Sequence, residues 1–229
     1  MIEIILLGLA LSIIHFFSES YALKTEKYHS EFVSLSSGLF IAFIFLFLLP
    51  EAFTGIEAIG NRVFFLILMG FVFFHLSEKY IYQHVKDKRE RMMELAGVHA
   101  AGFFIDHFVL GMTLFFVFNL VGFGGGLIVF MMLLFHTISS AVSLNHIDEY
   151  FNKKPIVNLV LSSSPLFGVL FAIILNPTKE LYYAFFALAI GGILYVVIRD
   201  MLPYGKEGKP LFFFLGFLIS LGYTVLLNM

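Results

Sequence analysis

Eight long apolar runs separated by short connections leave this chain few folds to choose from. They lie at about 2–22, 33–53, 62–82, 98–119, 127–147, 156–175, 181–201 and 211–228. A helix needs about 20 apolar residues to cross roughly 30 Å of hydrocarbon. The runs do not alternate, as strands of a membrane barrel would, and they are too long for strands. The expected fold is an all-α membrane protein of eight transmembrane helices in a single domain, 1–229. Composition agrees: 60% of the 229 residues are hydrophobic and 13% charged, too apolar for a soluble domain. There is no basic cluster suited to nucleic acid. The absence of Cys removes disulfides, thiolate ligands and a cysteine nucleophile together. The opening MIEIILLGLALSIIHFF has no basic start and no small-residue cleavage site, so it reads as a retained first helix.

The cationic residues set an orientation. The connections after the first, third, fifth and seventh runs hold Lys24, Lys27, Lys79, Lys86, Lys88, Arg89, Arg91, Lys153, Lys154, Arg199, Lys206 and Lys209, and the other side holds Arg62 and Lys179, which completes the 14. Excess Lys and Arg marks the cytoplasmic side, so both termini are expected outside. An internal repeat is also visible. GLFIAFIFLFLLP (38–50) and GGILYVVIRDMLP (191–203) both run from Gly to Leu-Pro over the same length. With an even helix count, the two copies cross in opposite senses. Runs 1–3 and 6–8 then form inverted repeats around runs four and five, the arrangement that places a transporter's site near the midplane.

The polar residues inside the runs point to that site. Asp106 and His107 lie in the fourth run and His136 in the fifth, where ionisable groups are costly and usually functional. At 1.5 Å per residue, Asp106 is roughly 12 Å in from the cytoplasmic side and His136 roughly 14 Å from the outside. Imidazole and carboxylate are good ligands for first-row metals. The spacing predicts that His136, Ser139, Ser140 and Ser143 share a helix face. His107 lies about 100° round from Asp106, so one site takes both only with adjustment. The bland reading is an Asp–His pair that bonds two helices together. At the cytoplasmic mouth, His15, Glu19, His99 and His146 outline a cation exit path, or simply face interfacial water, as do His75 and Glu78. Glu51 and Asp200 are candidate gates, with an Asp200–Arg199 salt bridge as the alternative. SSSPLFG (162–168) predicts either a cavity wall of freed carbonyls or a kink with the Ser hydroxyls bonded back onto the helix.

Several of these segments together resemble the ZIP family of divalent-metal transporters: GLFIAFIFLFLLPEAF, GFFIDHFVLGM, the His of FHTISS, SSPLFG and GGILYVVIRDMLP. The resemblance covers nearly the whole chain. It implies a ZIP-like bundle with inverted triplets around the fourth and fifth helices. It also implies a homodimer in the plasma membrane that carries Zn²⁺, Fe²⁺ or Mn²⁺ as substrate towards the cytoplasm, with Zn²⁺ expected, and no enzymatic activity or organic cofactor. The family's helix-four pattern, His-Asn-x-x-Asp-Gly, falls on Gly102, Phe103, Asp106 and His107. Its helix-five pattern, His-Glu-x-Pro-Glu, falls on His136, Thr137, Ser139 and Ser140. Its helix-six Glu-Pro falls on Ser164 and Pro165. Three acidic positions are therefore hydroxyls here, and the resemblance implies one metal site rather than two, from Asp106, His107 and His136 with Ser140 and Ser164 as neighbours. Two alternatives stand beside it: an intramembrane metal-dependent hydrolase, in which such a site would activate water, and a ZIP-fold protein that no longer transports.

Overall fold

In a computed structural model, every one of the eight apolar runs is helical, and no strand occurs among the described residues. The structure describes residues 1–22, 29–147, 155–202 and 208–227; among these, the side chains of 19–22, 139–147 and 200, with a few others, fall outside the description. The elements in order are α1 (Ile2–Ala22), α2 (His29–Phe43), a π segment (Ile44–Leu48), α3 (Leu49–Thr54), α4 (Ile56–Ile59), α5 (Arg62–His84) and α6 (Lys88–Ile147). They continue with α7 (Pro155–Ser162), α8 (Ser164–Leu175), α9 (Lys179–Val196), a second π segment (Val197–Met201) and α10 (Pro210–Leu227).

Among the described residues, four helices are long and apolar enough to cross a membrane: Ser30–Ile59, Arg62–His84, Lys88–Asn119 and Lys179–Arg199. The bent pair Ile156–Ser162 and Ser164–Leu175 makes a fifth if it is one span, and Ile2–Ser18, Gly122–Ile138 and Pro210–Gly222 are shorter apolar helices. The outer surface carries large exposed apolar side chains such as Phe65, Leu68, Phe73, Ile174 and Leu211. Water would penalise so continuous an apolar exterior; lipid does not. This is the build of a membrane protein.

The connection between the fourth and fifth runs, which contains GFGGG (122–126), contracts to almost nothing. α6 is helical on both sides of Gly122, which alone breaks it with φ 74° and ψ −171°, a backbone state open in practice only to glycine. The break reverses the chain. His136 and Asp106 are 30 residues apart and their side chains meet at 2.8 Å; a straight helix would hold them about 45 Å apart.

Packing falls into two groups. α2 and α10 lie together, as do α5 and α9, while α1, α6 and α8 form a second cluster. Three crossings are reciprocal glycine contacts. A Cβ on Gly38 would strike the Phe213 carbonyl and one on Gly216 the Leu35 carbonyl; Gly70 and Gly191 meet Leu188 and Ile67, and Gly111 and Gly168 meet Pro165 and Phe108. In a membrane, where helices gain little from burying apolar surface, such small-residue contacts supply the close van der Waals packing.

The repeat is visible in local geometry. Gly38 and Gly191 both sit at close crossings, and the π segments begin six residues after each, at Ile44 and Val197. Both precede a Leu-Pro. A proline withholds its N–H and crowds the preceding turn, and a widened turn just before it relieves that crowding. Between α7 and α8 the chain bends by 48°. Ser162 and Ser163 donate to the Leu159 carbonyl and Ser164 to that of Leu161. Of the two readings of SSSPLFG, the kink with back-bonded hydroxyls is the one observed.

Candidate metal centre

The doubling back of α6 at Gly122 brings Asp106, His107 and His136 together, with one ligand atom from each lying within 4.8 Å of the others. All three are buried. His136 Nε2 donates to Asp106 Oδ2 at 2.8 Å, and His107 Nδ1 lies 3.5 Å from the same oxygen. Tetrahedral ligands at about 2.1 Å from a zinc ion stand about 3.4 Å apart, so a cluster with one ligand atom from each residue within 4.8 Å can draw in around a shared ion. The 100° offset of His107 is bridged by its own geometry. Its Nδ1 bonds the Phe103 carbonyl one turn back, at 2.9 Å, which holds the ring against the Asp106 side. That bond makes Nδ1 the protonated nitrogen and leaves the Nε2 lone pair as the donor to a metal, the usual arrangement around a ligating histidine.

Two atoms of the cluster have no hydrogen-bond partner among the described residues: Asp106 Oδ1 and His136 Nδ1. Buried polar atoms without partners are costly, and both are electron-pair donors or become so on a change of tautomer. The donor set of two imidazoles and one carboxylate suits Zn²⁺ or Fe²⁺ with one position left for water.

His15, expected at the cytoplasmic mouth, instead stacks on His107 with ring centroids 4.5 Å apart, and it is 1% exposed. The signal was available in depth rather than in position near a helix end. Thirteen residues after Ile2, His15 is roughly 20 Å along α1, about level with Asp106. Phe40 and Phe43 of α2 pack on His136 at 4.3 and 5.4 Å between centroids; no residue chemistry foretold them. They close the site from the other group of helices. Ser164 is buried, but its hydroxyl is committed to Leu161. His99 is buried as well, 4% exposed rather than facing interfacial water. Ser140, Glu19 and His146 lie outside the described side chains.

Beyond this centre, Glu78 is also buried rather than at interfacial water. Tyr195 donates to it and Arg199 pairs with it, while His75 lies against the Tyr195 ring. Arg199 reaches Tyr82 as well. Asp200 falls outside the described side chains. Glu51 accepts from the Tyr183 hydroxyl at 3.3 Å, which is also bonded to Thr54. Compared with known proteins, the chain matches no family model and no curated protein.

Proposed function

We propose that this chain is a ZIP-like membrane transporter that moves a divalent cation, Zn²⁺ foremost, towards the cytoplasm through Asp106, His107 and His136. The observation that carries the reading is the meeting of these three buried side chains inside an apolar bundle. A permanent structural zinc site is closed by four firm ligands; this one offers two imidazoles and a single carboxylate, a set that binds an ion and can release it. All eight helices then cross the bilayer with both termini outside, and the two Gly-to-Pro repeats run in opposite directions. The Asp106–His136 hydrogen bond is the ion-free state of the centre, and an arriving cation takes the place of the shared proton, which passes to His136 Nδ1 by a change of tautomer. Delivery to the cytoplasm leads past His15 and His99. The protein acts in the plasma membrane as a homodimer, without an organic cofactor.

The test is metal uptake into proteoliposomes of the purified chain. Uptake should depend on the divalent ion and be lost in Asp106→Ala and His136→Ala. Undiminished uptake in both variants would remove this site from the transport path. Binding without flux in the parent protein would make it a metal-binding protein rather than a carrier.

A further inference from the structure

Only residues 85–87 separate α5 from α6, and cations crowd this corner: Lys86, Lys88, Arg89 and Arg91. The first three are exposed and Arg91 is half-buried. None of the four forms an ion pair among the described residues. Asp87 accepts the Glu90 N–H at 2.8 Å and so caps α6, and Glu90 and Glu94 pair with none of the four. Three acids beside four cations leave little excess charge, so arrangement decides what this corner can hold.

The arrangement centres on Tyr82, which is 45% exposed. Arg91 lies over its ring, with the guanidinium carbon 5.7 Å from the centroid, and Arg199 stands at the same distance; both are in cation–π range. Arg199 is tied to Glu78 and donates to the Tyr82 hydroxyl at 3.3 Å. The Tyr82 oxygen is thereby an acceptor towards Arg199, and its own O–H has no acceptor among the described residues. The Arg91 guanidinium makes no hydrogen bond among them either, and none of its nitrogens is buried. An accessible guanidinium and a hydroxyl donor beside it make a pair that suits a phosphate.

The surroundings say which phosphate. Phe73, Leu76 and Tyr80 carry the exposed apolar surface of α5 to within a turn of Tyr82, and Met92 and Met93 are exposed at the start of α6. A ligand here meets hydrocarbon on one side and cations on the other. A soluble phosphate would use only the second. A zwitterionic headgroup would bring its ammonium among Lys86, Lys88 and Arg89. We propose that this corner binds an anionic phospholipid, its phosphodiester on the Arg91 guanidinium and the Tyr82 hydroxyl and its acyl chains along the exposed side of α5. Basic clusters at the end of a membrane helix attract such lipids. The site is separate from cation flux and does not rest on that reading.

The experiment is native mass spectrometry of the full chain in detergent, titrated with phosphatidylglycerol or phosphatidylcholine of identical acyl chains. The parent should bind phosphatidylglycerol at least about fivefold more tightly, the effect of one cation near an anionic headgroup. That preference should shrink as salt rises from about 0.1 to 0.5 M. Arg91→Gln removes the cation, and Tyr82→Phe keeps the ring and removes the O–H. Each should weaken phosphatidylglycerol about fivefold, with phosphatidylcholine binding and thermal unfolding unchanged. Arg62→Gln, at the opposite end of α5, should change neither lipid. Equal binding of the two lipids by the parent would overturn the proposal, as would parent-like phosphatidylglycerol binding in Arg91→Gln or Tyr82→Phe. An equal loss in Arg62→Gln would report diffuse charge instead of a site, and displacement of the lipid by millimolar inorganic phosphate would report a site for a soluble anion; either result also overturns it.

Discussion

His15 and His107 lie face to face, one from α1 and one from α6, with their planes 17° from parallel. The stack can serve packing alone or the metal centre, and two substitutions separate these. His15→Phe keeps a ring of similar shape and removes both nitrogens. It should unfold at the parent temperature and bind zinc about tenfold more weakly, the usual cost of losing a group that supports a ligand. His15→Ala should in addition lose about 2–5 kcal/mol of stability, because it leaves a hole. Calorimetric zinc titration and thermal melts read both; parent-like affinity in His15→Phe would reduce the stack to packing.

Zinc should stabilise the fold through Asp106 and His136. A ligand at a hundred times its Kd adds about 2.7 kcal/mol to the state that binds it. The melting temperature in detergent should rise with zinc, fall back with chelator, and show no response in Asp106→Ala or His136→Ala. A zinc shift that persists in both variants would place the binding site elsewhere.

The reciprocal glycines should tolerate no methyl. Gly168→Ala and Gly191→Ala press a Cβ onto backbone of the facing helix, and overpacking of this kind costs about 1–3 kcal/mol. Gly97 has open space around it, so Gly97→Ala should be neutral or stabilising by up to about 1 kcal/mol, through helix propensity alone. Thermal unfolding of the three variants side by side is the check.

Arg199 and Glu78 should respond asymmetrically. Arg199→Ala strands a buried carboxylate with Tyr195 as its remaining partner among the described residues and should cost about 3 kcal/mol. Glu78→Gln keeps an acceptor for Tyr195 and leaves a cation that is one-third exposed and hydrated, so it should cost about 1 kcal/mol or less. Equal losses in denaturation of the two variants would contradict this account.

The sequence is most legible where one residue's chemistry and its depth decide the outcome. Apolar run length located the helices, and Asp106 and His136 stood out because charge in hydrocarbon is rare. Pairings set by distant parts of the chain are not legible in the same way. Glu78 looks like an interfacial residue because nothing near it in sequence reveals Arg199, 121 positions on. His15 misleads for a different reason: it lies near a helix end in sequence, whereas its depth along the helix axis is what sets its neighbours. The reversal between the fourth and fifth runs is expected from their spacing, but its place at Gly122 is not, since a run of glycines does not say which one takes the left-handed turn. Phe40 and Phe43 touch His136 only because α2 is pinned to α10 by Gly38 and Gly216, a constraint that exists only in three dimensions.

The two π segments have a consequence for motion. Each wide turn holds one residue more than an α turn would, much as a dislocation holds an extra half-plane in a crystal. Such a defect can glide. If the wide turn moves one residue along the helix, that residue rotates by about 100° and advances about 1.5 Å, while no more than a single backbone bond is out of place at any moment. The helices on which Phe40 and Tyr195 sit therefore carry, at matching positions in the repeat, a built-in means of turning one part of the helix against the other without unwinding.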